Sequence, residues 1–399
     1  MARGFFTFRQ QGGRRTHLLD IGNGMISQRK KRSALLRLFL GATVLMTLLS
    51  CGNLGYYARC TQGQVSILAK RRPIASLIKE SDISPDVRMR LEEVLRIRDF
   101  ASRELRLPDN GSYRSYVDLK RPYVVWNVVA TPEFDLKPRQ WCFPVAGCVT
   151  YRGFFSPEEA TAFAETLQRQ GDDVYLYGVS AYSTLGWFDD PVLNTFLNRP
   201  EEELAGLIFH ELAHQKIYVK NDSQFNESFA KAVELEGVSR WLGATGETER
   251  IEAYFQGKER GEEFTHLVLD FQERLRTLYV QPLDIDTKRR EKAALLAEMR
   301  RAHGELKASW GGYRGYDRWF AELNNAKMAS VSTYHTHVPA FRQLLRQHQG
   351  DMDAFYREAE SIGRLPGKDR LARLAQLTGL PLASLNPAEP RKEPETVEN

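Results

Sequence analysis

Apolar residues recur at three- and four-residue intervals through most of the chain, and only a few short stretches alternate as a half-buried strand does. Apolar positions over residues 64–79 predict a helix. A second opens at Ser84-Pro85, a capping serine with proline in the first turn; Val87, Leu91, Val94, Leu95, Ala101 and Leu105 give it a face for core packing. Residues 123–130 (YVVWNVVA) are rich in β-branched and aromatic side chains and predict a strand, as do residues 150–155. Residues 173–188 alternate like a strand interrupted by Gly178 and Gly186. Pro200 and three following glutamates open another helix, with acids at the positive end of its dipole and Leu204, Leu207, Ile208 and Leu212 to bury it. From Glu247 to about residue 308 the chain is charged and helical, with breaks expected near Gly257–Gly261 and Gln281-Pro282, which reads as a helical hairpin with solvated faces. Gly311-Gly312-Tyr313 and Gly315-Tyr316 form an aromatic loop before a helix through Trp319 and Phe320. Beyond Pro381 a Pro- and Glu-rich tail is expected to be disordered. The pattern predicts an α+β, predominantly helical fold, with a small mixed sheet and a helical hairpin insertion over about 247–308.

The charge is unevenly placed. Residues 1–50 hold nine of the 56 basic residues and one of the 51 acids, so the rest of the chain carries a net charge of −3. A nucleic-acid footprint needs basic residues clustered on the folded part, and this balance argues against one. The basic segment has signal-peptide geometry. Arg29-Lys30-Lys31-Arg32 precede an uncharged apolar stretch over 38–49, and Ser50-Cys51 ends it as a lipoprotein-type cleavage point. That stretch is short for a bilayer, which takes about 20 apolar residues, although an uncleaved anchor over 33–54 remains the alternative. Residues before Met25 match no signal region, so Met25 is an alternative start. The expected organisation is a signal peptide over 1–50, a tether lipidated at Cys51 over 51–63, one domain over 64–380 and the tail over 381–399. Cys142 and Cys148 flank a turn with Pro144 and Gly147 and are expected to pair in an oxidising compartment, which leaves Cys60 over.

The run His210-Glu211-Leu212-Ala213-His214 carries the chemistry. Residues four apart share one helix face, so both imidazoles reach one metal ion, and Glu211 stands beside them to accept a proton from a water that the metal acidifies. This is the HExxH pattern of zinc peptidases, which need three protein ligands and an open fourth position. The alternative is an amphipathic helix with two structural histidines.

HELAHQ at 210–215, followed by Asn226-Glu227-Ser228-Phe229-Ala230 and Glu234, resembles the motif pair of the gluzincin aminopeptidases. The chain as a whole resembles a narrower group, the bacterial lipoproteins predicted to be zinc aminopeptidases, through CFPVAGC at 142–148, YRGFF at 151–155, NNAKMASVSTY from 324 and VPAF at 338–341. The resemblance implies a zincin-like fold, one Zn2+ ion, a peptide substrate and a lipid anchor in the cell envelope, with Gly52 favouring the outer membrane and the domain facing the periplasm. It implies that Glu227 is the third ligand and that Asn226 and Glu234 stand around the ligands. Twelve residues separate His214 from Glu227, a shorter connection than in the large gluzincin aminopeptidases, so Glu234 and Glu236 stay open as rival ligands. No GxMEN-type element for capturing a free amino terminus is found.

Two further assignments follow from peptidase chemistry. Residues 181–187, just upstream of the metal helix, are a candidate edge strand for pairing with an extended peptide; an interior strand is the alternative. Negative charge on the carbonyl oxygen calls for a donor opposite the metal, and Tyr334 is the first candidate, then His337 and His335; a packed tyrosine is the alternative. Other functions stay open: a zinc endopeptidase, or a non-catalytic envelope lipoprotein with a structural metal. The oligomeric state is not legible.

Overall fold

The computed structural model describes residues 53–143, 147–184, 186–331 and 336–379. The expected signal peptide, Cys51, Tyr334, His335 and the tail lie outside the described residues. The chain divides into two compact units, Met1–Gly63 and Gln64–Asn399. In the first, the described residues open helix α1 (Asn53–Ala69), where Tyr56 meets Tyr57 edge to face. Among the described residues no helix is long and apolar enough to cross a membrane.

Among its described residues the second unit is predominantly helical with three small sheets. β1 (Arg72–Pro73) runs antiparallel to β2 (Ser115–Val117), which pairs in parallel with β8 (Val192–Leu193). β3 (Val125–Pro132) lies between β6 (Arg152–Phe154) and β7 (Asp172–Val179), antiparallel to both. β4 (Trp141–Phe143) and β5 (Gly147–Val149) form a hairpin in which Cys142 stands opposite Cys148, and a disulfide joins the pair. The short helix α2 (Ile74–Leu77) leads to α3 (Pro85–Arg103), which starts as its sequence predicts: the Ser84 side chain accepts from the Val87 N–H, and Leu91, Val94 and Ala101 are buried. α4 (Pro157–Arg169) repeats the device with Ser156 before Pro157. α5 (Asn194–Leu197) leads into the central pair, α6 (Glu201–Lys216) and α7 (Ser223–Thr245).

The hairpin consists of α8 (Thr248–Tyr279) and α9 (Ile285–Ser309), followed by α10 (Asp317–Ala321), α11 (Asn325–Ala329), α12 (Val338–Gln347), α13 (Met352–Arg364) and α14 (Gly367–Thr378). Two expectations are corrected here. First, α8 runs unbroken through Gly257 and Gly261. Each interior glycine costs a helix about 1 kcal/mol. Tyr254, Phe264, Val268, Phe271 and Leu275 are buried along one stripe, and about 1.5–3 kcal/mol for each large apolar side chain outweighs that cost. Second, the described residues of 181–187 are not a strand. β7 stops at Val179, and the chain folds instead around Asp190, whose carboxylate takes bonds from the Ser183 hydroxyl and from the Thr184 N–H and hydroxyl. Local side-chain bonds have replaced a ladder.

Two apolar cores result. The first packs Phe209, Phe225, Phe229, Phe341 and Phe355 with Leu91, Leu105 and Leu204 around α6 and α7. The second packs Val268, Phe271, Leu275, Met299, Phe320 and Met328 beneath the hairpin. Helix α8 belongs to both, since Tyr254 lies in the first and Phe264 in the second.

Candidate metal centre

Helices α6 and α7 are held close by missing side chains. A Cβ on Gly237 would fall 2.6 Å from Phe209 Cδ2, and one on Gly206 would fall 3.2 Å from Glu234 Cγ. The chain reverses between the helices with the help of Asn221 in a left-handed conformation (φ +63°), and the Asp222 side chain caps α7 by accepting from the Phe225 N–H at 2.9 Å. Asn226, expected around the ligands, bonds to the backbone of Val219. It clamps the reversal, accepting from the Val219 N–H at 2.7 Å and donating to the Val219 carbonyl at 2.8 Å.

This packing brings His210, His214 and Glu227 together, with one ligand atom of each within 4.8 Å of the others. His210 Nε2 lies 3.1 Å from His214 Nε2 and 3.3 Å from a Glu227 carboxylate oxygen, and His214 Nε2 lies 3.5 Å from the other oxygen. Tetrahedral ligands about 2.0–2.1 Å from an ion stand roughly 3.3 Å apart, so these atoms match the edges of such a site. Two ring nitrogens and a carboxylate form a borderline-soft donor set that accommodates zinc. His214 Nδ1 is buried without a hydrogen-bond partner, so the bonds that orient this ring lie on its Nε2 side. Glu236 faces elsewhere, accepting from Arg240 Nε at 2.7 Å.

Glu234 organises the other side of His210, 3.2 Å from its Nδ1. The same carboxylate accepts from Lys231 (2.7 Å), the Tyr254 hydroxyl (2.8 Å) and Lys258 (3.0 Å). Burial opposes its charge, but the bond to His210 and the two ammonium groups hold it well below the usual carboxylate range. As a carboxylate it takes the Nδ1–H of His210 and leaves the Nε2 lone pair free for a cation. Tyr254 and Lys258 come from α8, which the sequence presents as a solvated hairpin helix.

The charge balance fits a cation. Burial pulls on both imidazoles, yet the Glu227 and Glu234 carboxylates lift His210 to about 9. Burial, together with the neighbouring charge on His210, pushes His214 down to about 4. His210 is thus the ring favoured to carry the positive charge and His214 the one favoured to stay neutral, among atoms spaced to bind an ion. Glu211 is raised above its ordinary value by burial and by the charge of Glu227, against the lowering effect of His210. His337 is buried, and its backbone N–H donates to Ser228 Oγ on α7 at 3.1 Å.

The fold and the triad together define a helical α+β protein with a candidate metal centre on two adjacent helices. Over residues 55–374 the chain matches the family described as "Putative aminopeptidase", and it belongs to that family. No curated protein and no solved structure matches it.

Proposed function

We propose that this protein is a zinc-dependent aminopeptidase, tethered to the cell envelope by a lipid on Cys51. The spacing of His210 Nε2, His214 Nε2 and the Glu227 carboxylate carries the reading, and family membership directs it to peptides. These three residues would hold the ion. A bound zinc supplies Lewis acidity, polarising the scissile carbonyl and acidifying water. The carboxylate of Glu211 accepts the proton of the attacking water and delivers it to the departing amine nitrogen. Glu234 keeps the Nδ1 proton of His210 in place throughout. The Cys142–Cys148 disulfide supports an oxidising compartment and thus export.

The test is a peptide profile of purified, zinc-loaded protein on matched substrates with free and blocked amino termini. Release of single residues from free termini alone is the expected result; internal cleavage of blocked peptides would make it an endopeptidase. Glu211→Gln should keep one zinc per chain by atomic absorption while hydrolysis falls by at least about 100-fold. Retained hydrolysis in that variant would remove Glu211 from the mechanism.

A further inference from the structure

The turn that follows β7 holds two aromatic side chains in water. Trp187 is 85% exposed and Phe188 49%, and among the described residues neither ring meets another. Single exposed apolar residues are common on loose loops, but this turn is fastened at several points. The buried Asp190 carboxylate accepts from the Thr184 N–H at 2.8 Å and from its hydroxyl at 2.9 Å. That hydroxyl in turn accepts from the Phe188 N–H at 3.2 Å, and the Trp187 N–H donates to the Thr184 carbonyl at 3.1 Å. Arg71 donates to the Asp189 carbonyl at 2.8 Å, and the Asp189 carboxylate lies so close over Gly111 that a Cβ there would collide with it. The rings are therefore presented on a backbone already ordered, which lowers the cost of binding against them.

The turn also has a defined place beside the triad. Gly186, at φ +82°, lies against Gln215: a Cβ there would stand 3.4 Å from Gln215 Cγ. Gln215 comes four residues after Glu211, so the two share one face of α6, their Cβ atoms about 5–6 Å apart. The 110–112 loop holds Gln215 in place, since its side chain accepts from Asn110 at 2.7 Å and donates to Ser112 at 3.2 Å. The turn thus lies along the Glu211 side of the metal helix, whereas Lys231, Tyr254 and Lys258 gather around Glu234 behind His210.

We infer that Trp187 and Phe188 form an apolar platform of the substrate site, which receives a large aromatic or aliphatic side chain next to the bond to be cut. The substrate class is then peptides with such a residue first or second in the chain. An apolar side chain laid on the two rings leaves water together with them, and a glycine has nothing to bury there. The inference rests on the peptidase reading proposed above.

The experiment uses the full-length, zinc-loaded protein and tripeptides with Phe, Leu or Gly at the first or the second position. Wild type should favour Phe and Leu over Gly in kcat/KM by about tenfold or more at one of the two positions. Trp187→Ala should remove most of that ratio, chiefly through KM, with zinc content and melting temperature near wild type because the ring is exposed. Trp187→Phe should keep most of it. The same tripeptides are titrated calorimetrically into zinc-loaded Glu211→Gln protein, with and without Trp187→Ala, where the preference should appear in Kd and vanish in the same way. No preference in wild type, or one that survives both Trp187→Ala and Phe188→Ala, would overturn the inference. So would self-association, followed by sedimentation, that Trp187→Ala abolishes while the preference stays; the turn would then serve a second copy of this chain. If wild type cuts no peptide but binds the Phe tripeptide through Trp187, the platform stands and the peptidase reading falls.

Discussion

His210 has different tasks at its two nitrogens: Nδ1 is engaged by Glu234, and Nε2 faces His214 and Glu227. The consequence is measurable as competition between zinc and a proton. The metal-free site raises His210 from 6.5 to about 9, so below pH 9 a proton occupies this ring and must leave when the ion binds. Apparent zinc affinity should therefore climb with pH by about tenfold per unit up to about pH 9 and flatten above it. Calorimetry at pH 7 in buffers of different ionisation enthalpy should register about one proton released from this ring. No dependence on buffer would contradict the assignment. The three glutamates of α7 separate in the same assay. Glu227→Ala should weaken zinc by more than the roughly 10–100-fold typical of outer contacts, whereas Glu236→Ala, which only frees Arg240, should leave it unchanged.

At the level of elements, the site depends on how closely α6 and α7 approach and on what α8 contributes. Gly237→Ala places a methyl group 2.6 Å from the Phe209 ring, in a packed interior. It should cost roughly 1–3 kcal/mol, seen as a lower melting temperature, with zinc stoichiometry retained in the folded fraction. Tyr254→Phe removes one buried donor to Glu234 with little change in shape. Zinc affinity in a chelator competition should drop by about tenfold; an unchanged affinity would show that the lysines alone fix Glu234. These elements also mark how far the sequence reads. The face shared by His210 and His214 and the Ser84 cap are local patterns, set by spacing within a helix turn or by one side chain bonding its own backbone. Tyr254 and Lys258 are not local: nothing beside them in the chain distinguishes them from other residues of a charged helix until α8 packs against α7. The same holds for the bend after β7, where strand-like alternation outweighed the pull of Asp190 on the hydroxyls of Ser183 and Thr184.

Across the whole molecule, the candidate ion sits in one core while the hairpin builds the other, and α8 is the element common to both. Zinc that binds only the folded state stabilises it by mass action, about 4 kcal/mol when free metal stands a thousandfold above its dissociation constant. Calorimetric scans with a chelator should show a lower melting temperature that zinc restores. Whether the whole transition moves depends on α8: one unbroken helix with buried side chains in both cores passes the gain from the first core to the second, so one cooperative transition should shift. Two transitions, with only the lower one answering to zinc, would mean that the cores unfold separately. The disulfide gives the contrasting case, since it closes a small loop in the β4–β5 hairpin and no residue of that hairpin belongs to the triad. Its reduction should cost on the order of 2 kcal/mol, through the unfolded chain, and leave zinc affinity unchanged. A reduced protein that also lost its metal would tie the hairpin to the site in a way the packing of α6, α7 and α8 does not require.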